Sequence, residues 1–268
     1  MEVLTPKINI NKIGIISRDY RKREENGFRD FSHAFESILT TLDEQACDSV
    51  LFSLYTLEKR PSFDVLQILK RLNIESIKAV FIEEFKDDGE KRTPIEYVIY
   101  LKGKHEWREQ RLAQNFARAK EMKKTVVESF KKEVEEQRLF GNFTVLICGE
   151  SNIVKYKMAT KNIEDPHQYR ASLNRDIKVI LNPIHDRMTR HEMKLKREYL
   201  SRHNRWVLSV WNKGRSDKNG KVKNYRTPDW TVFCNGEERE LKPIQCNVSS
   251  QADIQIGIIY LHGENDQV

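Results

Sequence analysis

Short apolar runs alternate with amphipathic segments along most of the chain, a pattern that predicts layered α/β architecture. Lys12–Ser17, Ser49–Tyr55, Ile77–Phe85, Ile95–Leu101, Phe143–Ile147, Ile177–Leu181, Arg205–Trp211, Thr231–Cys234 and Ile254–Leu261 read as strands, rich in β-branched and large apolar residues. Between the first two, Phe31, Ala34, Phe35, Ile38, Leu39 and Leu42 fall at three- and four-residue spacing, which is one face of a helix. Phe63–Leu72 repeats that spacing, and a further helix is expected from about Thr189 to Arg202. The short charged turn Lys86–Arg92, with Asp88-Gly89 inside it, makes Ile77–Leu101 an antiparallel hairpin. Lys104–Arg138 is dense in Lys, Arg and Glu, with only Phe116, Met122, Val126, Val127 and Phe130 as an apolar stripe. It reads as an exposed helix, continuous or broken. Arg18–Gly27, Ser151–Tyr169 and Ser216–Tyr225 are too polar for core and read as loops, the second placed to cover a pocket past a strand end. Asn235-Gly236 marks a tight turn. No internal repeat of fixed period occurs, and the order of elements does not suit a barrel of eight repeats.

The stretch Phe143–Asn152 is where this pattern meets chemistry. An apolar strand ends in Cys148, Gly149 and Glu150. Gly149 allows a sharp turn there, so a thiol and a carboxylate stand together at a strand's carboxyl end, where open α/β sheets place their sites. A cysteine on a strand is otherwise a small buried hydrophobe.

Composition narrows the classes. The 268 residues suffice for one large α/β domain, and sparse Gly and Pro leave no long linker. The formal net charge is +7, but basic residues are interleaved with acids, as on a solvated surface. Without zinc spacing or an aromatic-basic motif, nucleic acid is not the expected partner. The four cysteines, Cys47, Cys148, Cys234 and Cys246, show no CxxC pair, which fits a reducing compartment. The N-terminus lacks a basic-then-apolar signal and no apolar run reaches membrane-spanning length, so a cytoplasmic protein is expected. His185, Asp186, His191 and Glu192 invite a metal reading, but the histidines, six apart, do not share a helix face. They read as a polar loop and helix start, and neither metal nor cofactor is expected.

Several stretches in order resemble the carbon–nitrogen hydrolases, the nitrilase superfamily. Leu146–Glu150 (Leu-Ile-Cys-Gly-Glu) resembles the family's nucleophile strand. Leu181–Met188 is similar to the segment after the next strand, Arg197–Trp211 to the later helix and strand, and Trp230–Gly236 to the strand and turn beyond. The resemblance covers nearly the whole chain. It implies a four-layer αββα sandwich as a single domain over residues 1–268, a small-molecule substrate, and assembly at least into a homodimer. The apolar residues Met193, Leu195 and Tyr199 within Met188–Leu200 also call for burial.

The family's chemistry uses a Cys nucleophile, a Glu base and a Lys that steadies the tetrahedral intermediate. A thiol needs a base to attack as thiolate, and a cation offsets the developing oxyanion. Cys148 matches the nucleophile. The family's Glu falls at Leu54, leaving Glu58 one turn on as a substitute; the family's Lys falls at Glu109 in Trp107-Arg108-Glu109-Gln110-Arg111-Leu112, with Lys102, Lys104 or Arg108 as alternative cations. The implied catalytic set is therefore Cys148, Glu109 or Glu58, and Lys102. Glu150, Asn182, His185 and Trp211, all at strand ends, are the expected pocket residues. Two functions remain open: a hydrolase of an amide-type carbon–nitrogen bond, and a catalytically silent member of the fold that binds a metabolite or partner protein.

Overall fold

The computed structural model describes residues 7–19, 30–88, 91–104, 106–185, 191–214, 228–244 and 253–261. In chain order the elements are β1 (Lys12–Arg18), α1 (Phe35–Glu44), β2 (Ser49–Phe52), β3 (Leu57–Glu58), α2 (Val65–Arg71), β4 (Ala79–Asp87), β5 (Arg92–Lys102), β6 (Trp107–Leu112), α3 (Lys124–Glu136) and β7 (Phe143–Val145). There follow β8 (Lys155–Lys157), β9 (Asn162–Glu164), α4 (Tyr169–Ser172), β10 (Val179–Ile184), α5 (His191–Ser201), β11 (Trp206–Trp211), β12 (Trp230–Cys234), β13 (Glu237–Arg239) and β14 (Ile254–Tyr260).

The strands form two main sheets. The first runs β14-β1-β2-β4-β5-β6, with β3 beside β4; the second runs β13-β12-β11-β10-β7. In the first, β1, β2 and β4 are parallel and β14, β5 and β6 extend them antiparallel. In the second, β7, β10 and β11 are parallel and the hairpin β12–β13 closes the edge. That hairpin turns at Asn235 and Gly236, both at positive φ (49° and 88°), as a tight two-residue turn requires.

The alternation of side chains along each strand explains the layers. Ile13 and Ile15 of β1, and Phe81 of β4, meet Val145 of β7, Leu181 of β10 and Val210 of β11 in a core between the sheets. Ile16, Val80 and Ile82 point the other way and pack with α1 and α2. Ile180 and Val207 pack with residues of α3, α4 and α5 on the far side of the second sheet. The result is helix, sheet, sheet, helix, the αββα sandwich. Hydrogen bonds staple the two sheets at the carboxyl ends of their parallel strands. Ser17 Oγ donates to the Trp211 carbonyl at 2.6 Å, Ser53 Oγ to Asn212 Oδ1 at 2.5 Å, and Asn212 Nδ2 to the Leu54 carbonyl at 2.8 Å.

Three expectations change. Residues 104–138 are not one helix. Trp107–Leu112 is strand β6, and only Lys124–Glu136 is helical. The reason is tertiary: β5 offers an open edge, and pairing satisfies the backbone of β6. The charges then line up across the sheet, where Arg111 meets Glu84 at 2.9 Å and Glu96 at 2.7 Å. Arg18 is not a loop residue but the buried end of β1, paired with Asp253 at 2.6 Å. Ser151–Tyr169 is not an open loop but carries the antiparallel pair β8–β9 after the 3-10 turn. Of Met193, Leu195 and Tyr199 in α5, Met193 is buried within this chain and Tyr199 packs against the core behind the second sheet, while Leu195 stays partly exposed. The loop at Ser216–Tyr225 and the turn at Gly89 lie outside the described residues. No described helix is long and apolar enough to cross a membrane.

Candidate active site

Cys148 stands just past β7, at the start of a 3-10 turn over Cys148–Ile153. Its backbone is left-handed, with φ of 44°, a conformation that costs a non-glycine residue roughly 1–3 kcal/mol. The surrounding bonds hold it there. Ile147 N–H donates to Glu150 Oε2 at 2.7 Å, and Glu150 N–H donates back to the Ile147 carbonyl at 3.0 Å. Asn182 Nδ2 donates to the Leu146 carbonyl at 2.6 Å and reaches the Cys148 carbonyl at 3.4 Å. Gly149 is needed for a reason other than a free backbone. A Cβ there would lie 2.5 Å from the Ala117 carbonyl oxygen. The bend itself falls on Cys148, which turns the half-buried thiol out of the strand line.

His185 approaches this thiol from between the sheets, and Glu83 holds His185. Glu83 lies on β4 with the inward parity of Ala79 and Phe81. His185 follows β10 with the inward parity of Leu181. The Nε2 of His185 lies 2.7 and 2.9 Å from the two oxygens of Glu83. Glu83 is fixed in turn by the Tyr55 N–H, which donates to its Oε2 at 2.8 Å. The Tyr55 ring packs on the imidazole at 4.5 Å, and Tyr55 also has positive φ, 58°. Cys148 lies close enough to His185 to act on its charge. Burial opposes charge on this imidazole, but Cys148 and Glu83 outweigh it and push the pKa up to about 10. His185 therefore carries its proton throughout the neutral range. A thiol, an imidazole and a buried carboxylate in that order can pass a proton between nucleophile and leaving group.

The other expected residues lie elsewhere. Glu109 sits on edge strand β6 with the parity of Trp107, which packs on the helix side of the first sheet; it pairs with Arg111 at 3.2 Å and is exposed. Lys102 shares that outer parity at the opposite end of β4, where its backbone N–H bonds the Lys78 carbonyl and its Nζ bonds the Ile74 carbonyl. Lys104 is exposed, and Arg108 pairs with Glu106 at 3.0 Å on the surface. Glu58 on β3 is held by Arg60 at 2.6 Å. Trp211 is fully buried on the helix side of the second sheet, with the Arg197 guanidinium 5.4 Å from its ring; it is core, not pocket wall. Asn182, also on that side, and Glu150 act on the backbone around Cys148. No group of three or more possible metal ligands forms among the described residues, and Asp186 lies outside them. Glu109→Gln and Lys102→Gln are accordingly expected to leave alkylation of Cys148 by iodoacetamide within about twofold of the parent, since screened charges this remote contribute little; peptide mass spectrometry over time checks this.

Among solved structures, the chain aligns over 94% of its length with 91% of a CN-hydrolase superfamily protein, XC1258 of Xanthomonas campestris, whose active site holds an arsenic adduct; the TM-score is 0.51 and the identity 11%. The chain has the carbon–nitrogen hydrolase fold. An amidase of the nitrilase superfamily from Nesterenkonia AN1 aligns with 96% of the chain and 93% of its own, at TM-score 0.49 and 12% identity. A carbon–nitrogen hydrolase from Helicobacter pylori G27 aligns with 94% and 89%, at 0.47 and 10%. No protein-family model matches the sequence, and no curated protein matches it.

Within this nitrilase-type fold, the carboxylate that partners His185 comes from β4 and not from the end of β2. Glu83 was missed by sequence reasoning. Its signal was a carboxylate at an inward position of Ala79-Val80-Phe81-Ile82-Glu83, where the alternation calls for an apolar residue. A buried acid there needs a partner, and His185 is that partner.

Proposed function

We propose that the chain is a thiol-dependent hydrolase of an amide-type carbon–nitrogen bond in a small molecule, with Cys148 as nucleophile, His185 as proton carrier and Glu83 as the residue that positions His185. The observation that carries this reading is the buried Glu83–His185 pair beside Cys148 at the carboxyl ends of the parallel strands. The attacking form is the thiolate, with the proton held on His185 as an imidazolium that Glu83 balances. The thiolate attacks the carbonyl carbon, and the electron pair of the C=O bond moves to oxygen. As the tetrahedral intermediate collapses, the C–N bond breaks and His185 gives its proton to the departing nitrogen. The acyl group is then a thioester on Cys148. Acylation removes the thiolate that helped to raise the His185 pKa, so the imidazole becomes a better base for the water that releases the acid. Hydrolysis returns the proton and frees the thiol.

The second reading, a silent fold that binds a small molecule, draws on one observation. Among the described residues, no lysine or arginine side chain bonds with Cys148, so the family's cation has no direct counterpart. One experiment separates the two. In the hydrolase reading, iodoacetamide alkylates Cys148 at neutral pH at least about tenfold faster than it alkylates free cysteine, because the thiolate is the reactive form. Glu83→Gln then slows alkylation and lowers the His185 titration midpoint, followed by NMR, from about 10 toward the ordinary imidazole range. Alkylation no faster than free cysteine and indifferent to Glu83→Gln establishes the silent reading instead.

A further inference from the structure

The opposite end of the second sheet carries a cleft with a different chemistry. It has a volume of about 470 Å³ and is lined by Arg170, Arg175, Lys178, His203 and Arg205, with Ala171 and Leu173 as the apolar remainder. Lys178 immediately precedes β10 and Arg205 immediately precedes β11, whereas His185 follows β10 at its far end. Six residues of strand separate the two places, about 20 Å at the usual rise. The cleft is thus no part of the Cys148 site.

Two of its cations are held in place by groups that do not cancel their charge. Arg205 is buried and donates through Nε to the Ile177 carbonyl at 3.1 Å and through Nη2 to the Leu173 carbonyl at 3.4 Å. Arg170 donates through Nη1 to the Tyr199 carbonyl at 3.3 Å, and its guanidinium lies 3.8 Å from the Tyr199 ring centre. None of the five basic side chains forms an ion pair with a described carboxylate. Asp165 accepts the N–H groups of Tyr169 and Arg170, both at 2.8 Å, through its two oxygens. Burial lowers the pKa of Arg205 and the like charge of Arg170 lowers it further. Guanidinium groups fixed side by side without a counter-charge repel, and an anion between them removes that repulsion. The forked donors of arginine match phosphate oxygens in pairs. No Phe, Tyr or Trp side chain lines the cleft, so it lacks the row of large aromatic platforms that single-stranded nucleic acid uses.

We propose that this cleft is a binding site for a small phosphate-bearing molecule, held by Arg170 and Arg205 at its floor and by Arg175, Lys178 and His203 at its rim. Pyrophosphate is the probe. Calorimetric titration of the intact protein with pyrophosphate at about 150 mM salt, where loose surface charge is screened, is expected to show one saturable site. The double variant Arg175→Glu/Lys178→Glu changes two exposed side chains and is expected to weaken binding at least about tenfold. Iodoacetamide labelling of Cys148 is expected to be the same in parent and variant, which shows the variant folded and keeps this test separate from that of the hydrolase reading. Absence of saturable binding, or equal affinity in the double variant, overturns the proposal. So does a short oligothymidylate that binds more tightly than pyrophosphate and is lost in the same variant, since it assigns the cleft to nucleic acid.

Discussion

His185→Asn is expected to slow the acylation of Cys148 by an amide substrate about 10²- to 10⁴-fold, the usual worth of a positioned acid–base group. Asparagine keeps a polar side chain near Glu83 but cannot hold a proton beside the thiolate or deliver one to the leaving nitrogen. Burst kinetics with a chromogenic anilide, or the rate of iodoacetamide labelling where no substrate is known, measure the loss. An unchanged labelling rate sinks the assignment of His185. The same variant tests the electrostatics through stability. The imidazole pKa is raised from 6.5 to about 10 in the folded chain. Its protonated form is therefore the one that folding favours, and that contribution is complete below the unfolded value and lost as pH rises through about 10. The stability difference between parent and His185→Asn, from urea midpoints, is expected to shrink steadily from pH 7 to pH 10. A difference that grows over that window contradicts an imidazolium–carboxylate pair.

The largest expected effect on folding comes from the ion pair beneath Cys148. Arg138 has no exposed side-chain surface and donates to Glu150 at 2.7 and 3.2 Å, to Glu133 at 2.7 Å, and to the carbonyls of Val145 at 3.2 Å and Ala113 at 2.9 Å. Glu150 is equally buried and also accepts the Ile147 and Asn115 N–H groups. Removing Arg138 leaves an uncompensated carboxylate in the interior, a loss of about 3–5 kcal/mol. Arg138→Met is expected to lower the urea midpoint accordingly. The deficit is least at acid pH and grows as pH rises, because burial pushes Glu150 up and, without its opposing cation, the residue folds in its protonated form. The double variant Arg138→Met/Glu150→Gln is expected to recover part of the loss, since it buries no lone charge. Equal losses in the single and double variants would show that packing, not charge, holds this site.

These two side chains also show how unevenly the sequence speaks. Cys148 and Glu150 belong to one strand end, and their relation is local. The apolar run of β7, the thiol and the acid two residues on were all legible from spacing, as were most strands, the hairpin of β4 and β5, and the tight turn at Asn235-Gly236. Each rests on alternation or on a residue's own backbone preference, which neighbours in sequence decide. The partners of Cys148 do not. Glu83 and His185 lie 102 residues apart and meet only because β4 and β10 bring their inward faces together at the same end of two stacked sheets. The charged segment at β6 makes the same point in reverse. Its residues carry no strand signal strong enough to outweigh their charge density, and the open edge of β5 settled the matter. Once it was a strand, the period of two put Glu109 on the helix side of the sheet, away from the thiol. The sequence by itself determined which segments are strands and helices wherever burial imposes a period, and where the thiol stands. Tertiary structure alone decided that His185 and Glu83 come together beside it, because a side chain's partner across a sandwich depends on strand order, register and face, none of which is written in the spacing along one segment.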